Sequence, residues 1–236
     1  GIFPAAGFFA ATRRPFSIPM KTRFILINTS HAGNVGAAAR AMKTMGFDAL
    51  VLVAPRWANV LRREETIQRA SGALDVLNNA CIVETLDEAL DGMAHLCATA
   101  MTPRDFGPPT RAPRAHFAEL LGATETLSKE ELPAPVDSVH KPDSVAFLFG
   151  SERFGMQSDD VYRCHVALSI PTDPKFGSLN LGAAVQLVAY DWREALGGFG
   201  IQAAPEDLRL ADAAAVGGML RHWEEARVHI GLLDPA

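Results

Sequence analysis

Cysteine is scarce in this chain of 236 residues. The three cysteines, Cys81, Cys97 and Cys164, lie far apart and include no Cys-x-x-Cys pair. An odd and widely spaced set predicts neither a disulfide framework nor a thiolate zinc site, and it fits a reducing compartment. We therefore expect a cytoplasmic protein that carries no metal ion.

Long apolar runs are also absent. No stretch of about 18 apolar residues occurs, so the sequence predicts no membrane-spanning helix and no membrane partner. Residues 1–20 lack an initiating Met and place an apolar segment before Arg13-Arg14, the reverse of the order in a signal peptide. We interpret residues 1–20 as a flexible leader or an added remnant, with Met20 as the candidate natural start.

The common nucleotide-binding and hydrolase motifs are missing as well. The chain contains no Gly-x-Gly-x-x-Gly run, no Gly-x-x-x-x-Gly-Lys-Ser/Thr loop and no Gly-x-Ser-x-Gly elbow. Its net charge of −5 argues against a uniformly basic nucleic-acid binder. The charge is uneven, however, because residues 21–69 hold eight lysines and arginines against three acids. Such a segment can form a local positive face that attracts a polyanion.

Alternating strand and helix patterns predict an α/β fold with one main domain. Short apolar runs at 24–27 and 50–53 are typical of parallel strands covered on both faces, and a helical pattern that stops at Gly46 separates them. Further strands are predicted at 81–83, 95–100, 145–149 and 166–170. Further helices are predicted at 64–78, 86–90, 179–196 and 206–233. Loops are predicted at 101–114 and 123–144.

Three polar segments carry the candidate site, at residues 28–40, 149–155 and 178–181. Each begins where a predicted strand ends or a predicted helix starts. Open α/β sheets bind ligands at these positions, and helix N-termini leave backbone N–H groups free there.

Taken singly, the residues of these segments leave a functional and a structural interpretation open. Asn34 and Ser178 are suited to cap the helices that follow them. Gly36 and Gly150 permit close approach by a ligand or another chain, or they simply form turns. Arg40 fits a phosphate contact as well as an ordinary surface position.

Basic residues in the predicted loop after residue 100 are similarly ambiguous. They can bind phosphates, or they can be the charges of an exposed loop: Arg104, Arg111, Arg114 and His116. His31 is interpreted as a loop residue, and Cys164-His165 as a buried structural pair.

Together, the three segments resemble the motif set of the SPOUT superfamily of knotted RNA methyltransferases, in particular its TrmH/TrmJ-like tRNA 2′-O-methyltransferases. The resemblance rests on three stretches in order, NTSHAGNVGAAARAMKTMGF, FLFGSERFGM and SIPTDPKFGSLNLGAAVQLVAYDWR. It implies an α/β-knot domain at residues 21–196, with a mostly parallel sheet flanked by helices and a C-terminal trefoil knot. Residues 197–236 would then be a linker and a helical extension.

The resemblance also implies a cofactor, a partner and site residues. S-adenosylmethionine would be the methyl donor and S-adenosylhomocysteine the product, and two subunits would form a homodimer beside the site. The donor pocket would comprise Thr99, Ala100, Met101, Gly150, Glu152, Ile170, Gly177, Ser178, Leu179 and Asn180. The catalytic positions would be Arg40, Asn34 and Ser178. RNA would contact Arg40, Arg104, Arg111 and Arg114.

The implied reaction methylates the ribose 2′-hydroxyl of tRNA, at cytidine or uridine 32 of the anticodon loop. Because a guanidinium stays protonated at ordinary pH, we expect Arg40 to anchor the target phosphate and polarise the hydroxyl. A phosphate oxygen, Ser178 or water would take the proton. The alternatives are a ribosomal RNA 2′-O-methyltransferase, an inactive knotted RNA-binding protein, a base methyltransferase and a dinucleotide-binding protein.

Overall fold

The computed structural model describes residues 20–100, 103–122, 141–200 and 212–232. Contacts within the chain divide it into two units, residues 1–198 and residues 199–236. The leader predicted for residues 1–20 lies outside the described residues, except for Met20.

A parallel sheet forms the centre of the first unit. Its strands are β1 (Lys21–Ile27), β2 (Leu50–Val53), β3 (Cys81–Val83), β4 (His95–Thr99), β5 (Thr110–Arg111), β6 (Ser144–Phe149) and β7 (Val166–Leu168). Their order is β3-β2-β1-β6-β4-β7-β5, and every pairing between them is parallel. The predicted α/β architecture with a parallel sheet is therefore confirmed, whereas the trefoil knot stays a prediction.

Helices cover both faces of this sheet. They are α1 (Ala32–Thr44), α2 (Glu64–Ala70), α3 (Leu74–Asn79), α4 (Leu86–Leu90), α5 (Pro113–Leu120), α6 (Ser158–Tyr162) and α7 (Leu181–Ala195). One apolar core lies under α1, α5 and α7, and a second core lies under α4 and α6. Strand β1 serves both, since Phe24 and Leu26 belong to the first core and Ile25 and Ile27 to the second. This explains why the strand is an unbroken apolar run.

Helix α1 packs closely against its neighbours α2 and α7. A Cβ atom added at Gly36 would lie 2.1 Å from the backbone oxygen of Thr66 in α2. Gly36 therefore permits the close approach of another helix of the same chain, and a ligand contact at this position stays a prediction. The packing positions the N-terminus of α1 beside that of α7.

Several predicted elements differ from the observed ones. The helix predicted at 64–78 is broken into α2 and α3, because Ser71 adopts a left-handed conformation with a φ of 51°. The loop predicted at 101–114 contains β5 and the start of α5, where Pro113 occupies the first helical turn. Helix α6 was not predicted. Most of the loop predicted at 123–144 lies outside the described residues.

The second unit contains helix α8 (Ala213–His229), whose first turn is capped by the Asp212 side chain. Residues 206–211 of the predicted terminal helix lie outside the described ranges. No helix in the described part of the chain is both long and apolar enough to cross a membrane.

Candidate active site

Glu152, in the turn after β6, is the centre of a hydrogen-bond network. Its Oε2 accepts hydrogen bonds from the backbone N–H and the hydroxyl of Ser30, at 2.9 and 2.8 Å. Its Oε1 accepts from the side-chain amide of Asn34 at 3.0 Å and from the backbone N–H of His31 at 3.3 Å. Burial favours a higher pKa for Glu152, but the hydrogen bonds from Ser30 and Asn34 outweigh it and hold the pKa below its usual range. The carboxylate is therefore ionised and ties the loop after β1 to β6.

The network continues from Asn34 to helix α7. The Asn34 side-chain oxygen accepts a hydrogen bond from the Asn180 amide at 3.0 Å, and the Asn180 oxygen accepts from the backbone N–H of Gly182 at 2.9 Å. Asn180 therefore caps α7, which corrects the prediction that Ser178 does so. Asn34 does not cap α1 either, because that helix begins two residues earlier, at Ala32.

A cavity of about 390 Å³ opens where β4, β6 and β7 end, and we call it the edge cavity. Its lining includes most of the residues predicted for the donor pocket: Thr99, Ala100, Gly150, Glu152, Ile170, Gly177, Ser178 and Leu179. Asn180 lines the adjoining cleft instead, because its side chain is turned towards Asn34. Met101 lies outside the described residues. The three predicted segments thus meet at one edge of the sheet, as expected for parallel strands.

Gly150, which lines the edge cavity, also shapes the turn after β6. A Cβ atom at this position would lie 2.1 Å from the backbone carbon of Gly155. Ser151 and Gly155 exchange two backbone hydrogen bonds, of 3.1 and 2.8 Å, which close a tight turn. Gly150 is thus required for this turn, which forms one wall of the edge cavity.

A second cleft of about 420 Å³ adjoins the edge cavity, and we call it the α1 cleft. It is lined by His31, Gly33, Asn34, Ala37, Glu65, Arg69, Glu152 and Asn180. One face of α1 carries Gly33, Ala37 and Arg40, at positions i, i+4 and i+7. Arg40 therefore lies on the same face as the lining residues, one turn beyond them. Arg40 is exposed and has no hydrogen bond or ion pair with any described residue.

Sequence reasoning missed Glu65 and Arg69 as members of this cleft. Both lie on α2, which carries no recognisable motif, and they reach α1 through the close packing at Gly36. A charged pair at helical spacing was the one available signal, and it is common on exposed helices.

Three of the four arginines predicted to contact RNA are engaged within the chain. Arg104 donates a hydrogen bond of 2.6 Å to the backbone oxygen of Met156 and lines the edge cavity. The other two form exposed ion pairs, Arg111 with Glu119 at 3.3 Å and Arg114 with Asp191 at 2.9 Å. Hydrogen bonding to Asp191 raises the pKa of Arg114. RNA contacts by these three arginines stay predictions.

Three histidines cluster at the opposite edge of the sheet, where β4 and β7 begin. The Nε2 atoms of His95 and His116 are 3.0 Å apart, and His165 stacks on His95. Burial and the neighbouring histidines lower the pKa of His95 to about 4. The thiol of Cys97 lies close by, but burial raises its pKa well above the usual range, which opposes the thiolate form that binds metals. The absence of a metal stays a prediction.

Known proteins resemble this chain over most of its length. Residues 21–190 match the model of the SpoU rRNA Methylase family. A tRNA (cytidine/uridine/adenosine-2′-O-)-methyltransferase TrmJ from Pseudomonas aeruginosa is 37% identical over 226 residues, which cover 91% of this chain and 80% of that protein. A tRNA (cytidine/uridine-2′-O-)-methyltransferase TrmJ from Yersinia enterocolitica is 40% identical over 173 residues. These cover 73% of this chain and 60% of that protein.

Two of the solved structures with the same architecture are also similar to this chain in sequence. A probable methyltransferase from Bordetella pertussis Tohama I is 40% identical with a TM-score of 0.62, covering 75% of this chain and 96% of that chain. TrmJ from Z. mobilis ZM4 is 31% identical with a TM-score of 0.60, covering 91% of this chain and 82% of that chain.

Proposed function

This chain belongs to the SpoU rRNA methylase family, and from that premise we propose that it transfers a methyl group from S-adenosylmethionine to a ribose 2′-hydroxyl of tRNA. One observation carries the proposal. The hydrogen bonds that Asn34 donates to Glu152 and that Asn180 donates to Asn34 assemble all three motif segments around two adjoining cavities. A transfer between two substrates requires such neighbouring sites, because holding both reactants together supplies much of the rate enhancement.

The edge cavity fits the methyl donor. Its volume of about 390 Å³ lies within the usual range for small-molecule sites, roughly 300–1,000 Å³. Its walls combine the apolar side chains of Phe149, Leu168 and Ile170 with the hydroxyls of Thr99 and Ser178. Such a lining suits a ligand with a flat base and a polar ribose and amino-acid part. When bound, S-adenosylmethionine supplies a methyl group activated by a sulfonium centre.

The α1 cleft and the helix face beyond it suit the target nucleotide. Arg40 and Arg69 bring two positive charges to this region, and neither is neutralised by an ion pair within the described residues. Arg40 keeps its proton at ordinary pH, so it binds and orients a phosphate and polarises the 2′-hydroxyl, but does not remove its proton. Asn34 positions the cleft beside the edge cavity through its two hydrogen bonds.

The proposed enzyme is a cytoplasmic homodimer. Helix α7 exposes Leu187 and Tyr190, by 41% and 45%, one turn apart on its outer face. Phe154 and Phe176 are also largely exposed, and Phe154 lines the edge cavity. Large apolar side chains at these positions are suited to an interface between two copies of the chain.

Transfer RNA is the favoured substrate, because both TrmJ relatives described above are named as tRNA 2′-O-methyltransferases for cytidine and uridine, and the one from Pseudomonas aeruginosa for adenosine as well. Position 32 of the anticodon loop follows from the motif resemblance alone. Ribosomal RNA is the second candidate, named in the description of the family. Ribose chemistry itself favours RNA over DNA, which lacks the 2′-hydroxyl.

Incubation of the purified chain with labelled S-adenosylmethionine and either total tRNA or ribosomal RNA tests the proposal. Nuclease digestion followed by nucleoside mass spectrometry is expected to show 2′-O-methylated cytidine or uridine in the tRNA sample. A label on a ring nitrogen would reassign the chain as a base methyltransferase. Tight RNA binding without transfer would favour the inactive RNA-binding alternative.

A further inference from the structure

His31 belongs to a short chain of hydrogen bonds that ends on Glu152. Its Nδ1 lies 2.9 Å from the hydroxyl oxygen of Ser30, and that oxygen lies 2.8 Å from Oε2 of Glu152. The same Nδ1 is 3.9 Å from Oε1 of Glu152. The imidazole is thus linked to the carboxylate through one hydroxyl and lies within 4 Å of its other oxygen.

This chain of hydrogen bonds fixes the position of the imidazole proton. The Glu152 carboxylate is ionised, so both of its oxygens act as acceptors. Ser30 must then donate its single hydroxyl proton to Glu152, and its oxygen accepts a hydrogen bond from Nδ1–H of His31. A neutral imidazole with its proton on Nδ1 has a free lone pair on Nε2. Nε2 of His31 is therefore prepared to accept a proton.

The ring of His31 is accessible from the α1 cleft. The His31 side chain is 68% exposed, whereas that of Glu152 is 12% exposed. The charged groups that share the cleft with it are Glu152 and, from α2, Glu65 and Arg69. When Nε2 gains a proton, the positive charge of the ring is balanced by Glu152 at 3.9 Å.

The other groups of the site are poorer proton acceptors. Arg40 is always protonated, and Ser178 makes no hydrogen bond to a base within the described residues. The oxygens of Glu152 already accept four hydrogen bonds. Glu65 is a carboxylate, and a general base is most effective when it titrates near the working pH, as histidine does.

We propose that His31 is the general base of the reaction, with Nε2 taking the proton of the ribose 2′-hydroxyl in the α1 cleft. This inference rests on the proposed function. The hydroxyl O–H bond breaks, its electron pair stays on oxygen, and oxygen bonds to the methyl carbon. The bond between that carbon and sulfur breaks with its pair on sulfur, so the sulfonium becomes a neutral thioether. The proton passes from His31 to solvent.

Single-turnover methylation of tRNA by the full chain, measured from about pH 5 to about pH 8, tests this role. The wild-type rate is expected to fall on the acid side by about tenfold per pH unit. His31→Gln is expected to lower the rate at neutral pH by roughly 100-fold and to remove this acid slope. His222→Gln, which changes an exposed histidine of α8, is the matched control and should retain the wild-type profile.

Two results would overturn the assignment. One is a rate for His31→Gln close to that of the wild type. The other is an acid slope that survives in this variant, and if the slope is lost in Glu65→Gln instead, the proton is assigned to the Glu65 carboxylate.

A second readout requires no catalysis. Nitrogen NMR of the histidine-labelled chain reports which ring nitrogen carries the proton, and His31→Gln identifies the resonance of His31. We expect the proton on Nδ1 in the wild type and a loss of this preference in Ser30→Ala. A proton on Nε2 in the wild type contradicts the proposal. If the wild type methylates tRNA and His31→Gln methylates it at the same rate, this inference alone is overturned. If the wild type modifies no RNA, the proposed function is overturned.

Discussion

Asn34 and Asn180 are 146 positions apart in the chain, yet the side-chain amide of Asn180 donates a hydrogen bond of 3.0 Å to the side-chain oxygen of Asn34. Asn34 in turn donates to Glu152, so its amide group connects α1, the turn after β6 and the start of α7. The wall shared by the edge cavity and the α1 cleft depends on this connection.

Asn34→Ala removes both hydrogen bonds and is expected to weaken function more than folding. A hydrogen bond of this kind contributes about 0.5–1.5 kcal/mol, so the free energy of unfolding should fall by roughly 1–3 kcal/mol. Methyl transfer should decrease by at least about 100-fold, because small displacements of reacting groups are costly. Urea unfolding and single-turnover assays measure the two effects. Asn79→Ala, at an exposed asparagine of α3, is the control. Full activity in Asn34→Ala would contradict this role.

Much of the fold can be predicted from the sequence because its signals are local. The apolar runs of β1 and β2 and the capping box of Thr85 and Glu88 at α4 are contained in short segments. The break at Ser71 could not be predicted, because it depends on a left-handed backbone conformation at a non-glycine residue. Local patterns therefore predict elements better than their interruptions.

The candidate site was predicted less completely, because its contacts join distant segments. The motifs indicated that Asn34, Glu152 and Asn180 matter, but local capping rules gave Asn34 the wrong partner. Arg104 lies in a segment with loop composition, and its bond to the Met156 carbonyl depends on tertiary packing. Arg69 enters the α1 cleft from another helix.

S-adenosylmethionine is expected to stabilise the chain against heat. At 100 times the dissociation constant, binding to the native state adds about 2.7 kcal/mol, which corresponds to a rise in Tm of roughly 5–10 °C for a chain of this size. Ile170→Trp places a larger side chain in the edge cavity and should abolish the shift. Ile67→Trp, at an exposed position of α2, should retain it. Differential scanning fluorimetry measures both, and an equal shift in the two variants would locate the ligand elsewhere.

Charge placed on the outer face of α7 is expected to separate the proposed homodimer. Leu187→Asp combined with Tyr190→Asp introduces carboxylates where an apolar interface is proposed. Sedimentation velocity at micromolar concentration should show a dimer for the wild type and a monomer for the double variant. Leu74→Asp, at a comparably exposed position on α3, should remain dimeric. A monomeric wild type would refute the prediction.

Acid is expected to destabilise the fold through the histidine cluster. The pKa of His95 is lowered from 6.5 to about 4, so the unfolded chain binds a proton more readily than the folded one. The stability contribution of this histidine is complete above pH 6.5 and is lost as the pH falls towards 4. The loss should be on the order of 1–2 kcal/mol, allowing for solvent screening of a half-exposed ring.

Urea titrations at several pH values measure this loss. In His95→Gln, the free energy of unfolding should depend much less on pH between 6.5 and about 4. A smaller dependence should remain from His116, because burial also lowers the pKa of that histidine. His222→Gln should leave the dependence unchanged. Glu152, whose pKa is lowered from 4.5, acts at the acidic end of this range and below it, where its stabilising contribution is lost as the carboxylate protonates. An unaltered pH dependence in His95→Gln would exclude this cluster as its source.

Arg40→Ala is expected to leave folding and donor binding nearly normal but to remove most methyl transfer. Arg40 lies on the exposed face of α1 and does not line the edge cavity, so its loss acts on the RNA side. One charge-assisted phosphate contact contributes about 1.5–3 kcal/mol, and misplacement of the hydroxyl costs on the order of a further 100-fold in rate. Arg40→Lys should restore little, because a point charge cannot replace the bidentate guanidinium.

Calorimetric titration with the donor and single-turnover methylation of tRNA separate these two effects. Lys43→Ala is the matched control, since Lys43 lies on the same helix but its charge is paired with Asp75 at 2.7 Å. Its activity should remain close to that of the wild type, because the Lys43 charge is already engaged by Asp75 and Lys43 lines neither the edge cavity nor the α1 cleft. A wild-type rate of methyl transfer in Arg40→Ala would contradict the catalytic role assigned to Arg40. An equal loss of donor binding would instead place its guanidinium at the edge cavity.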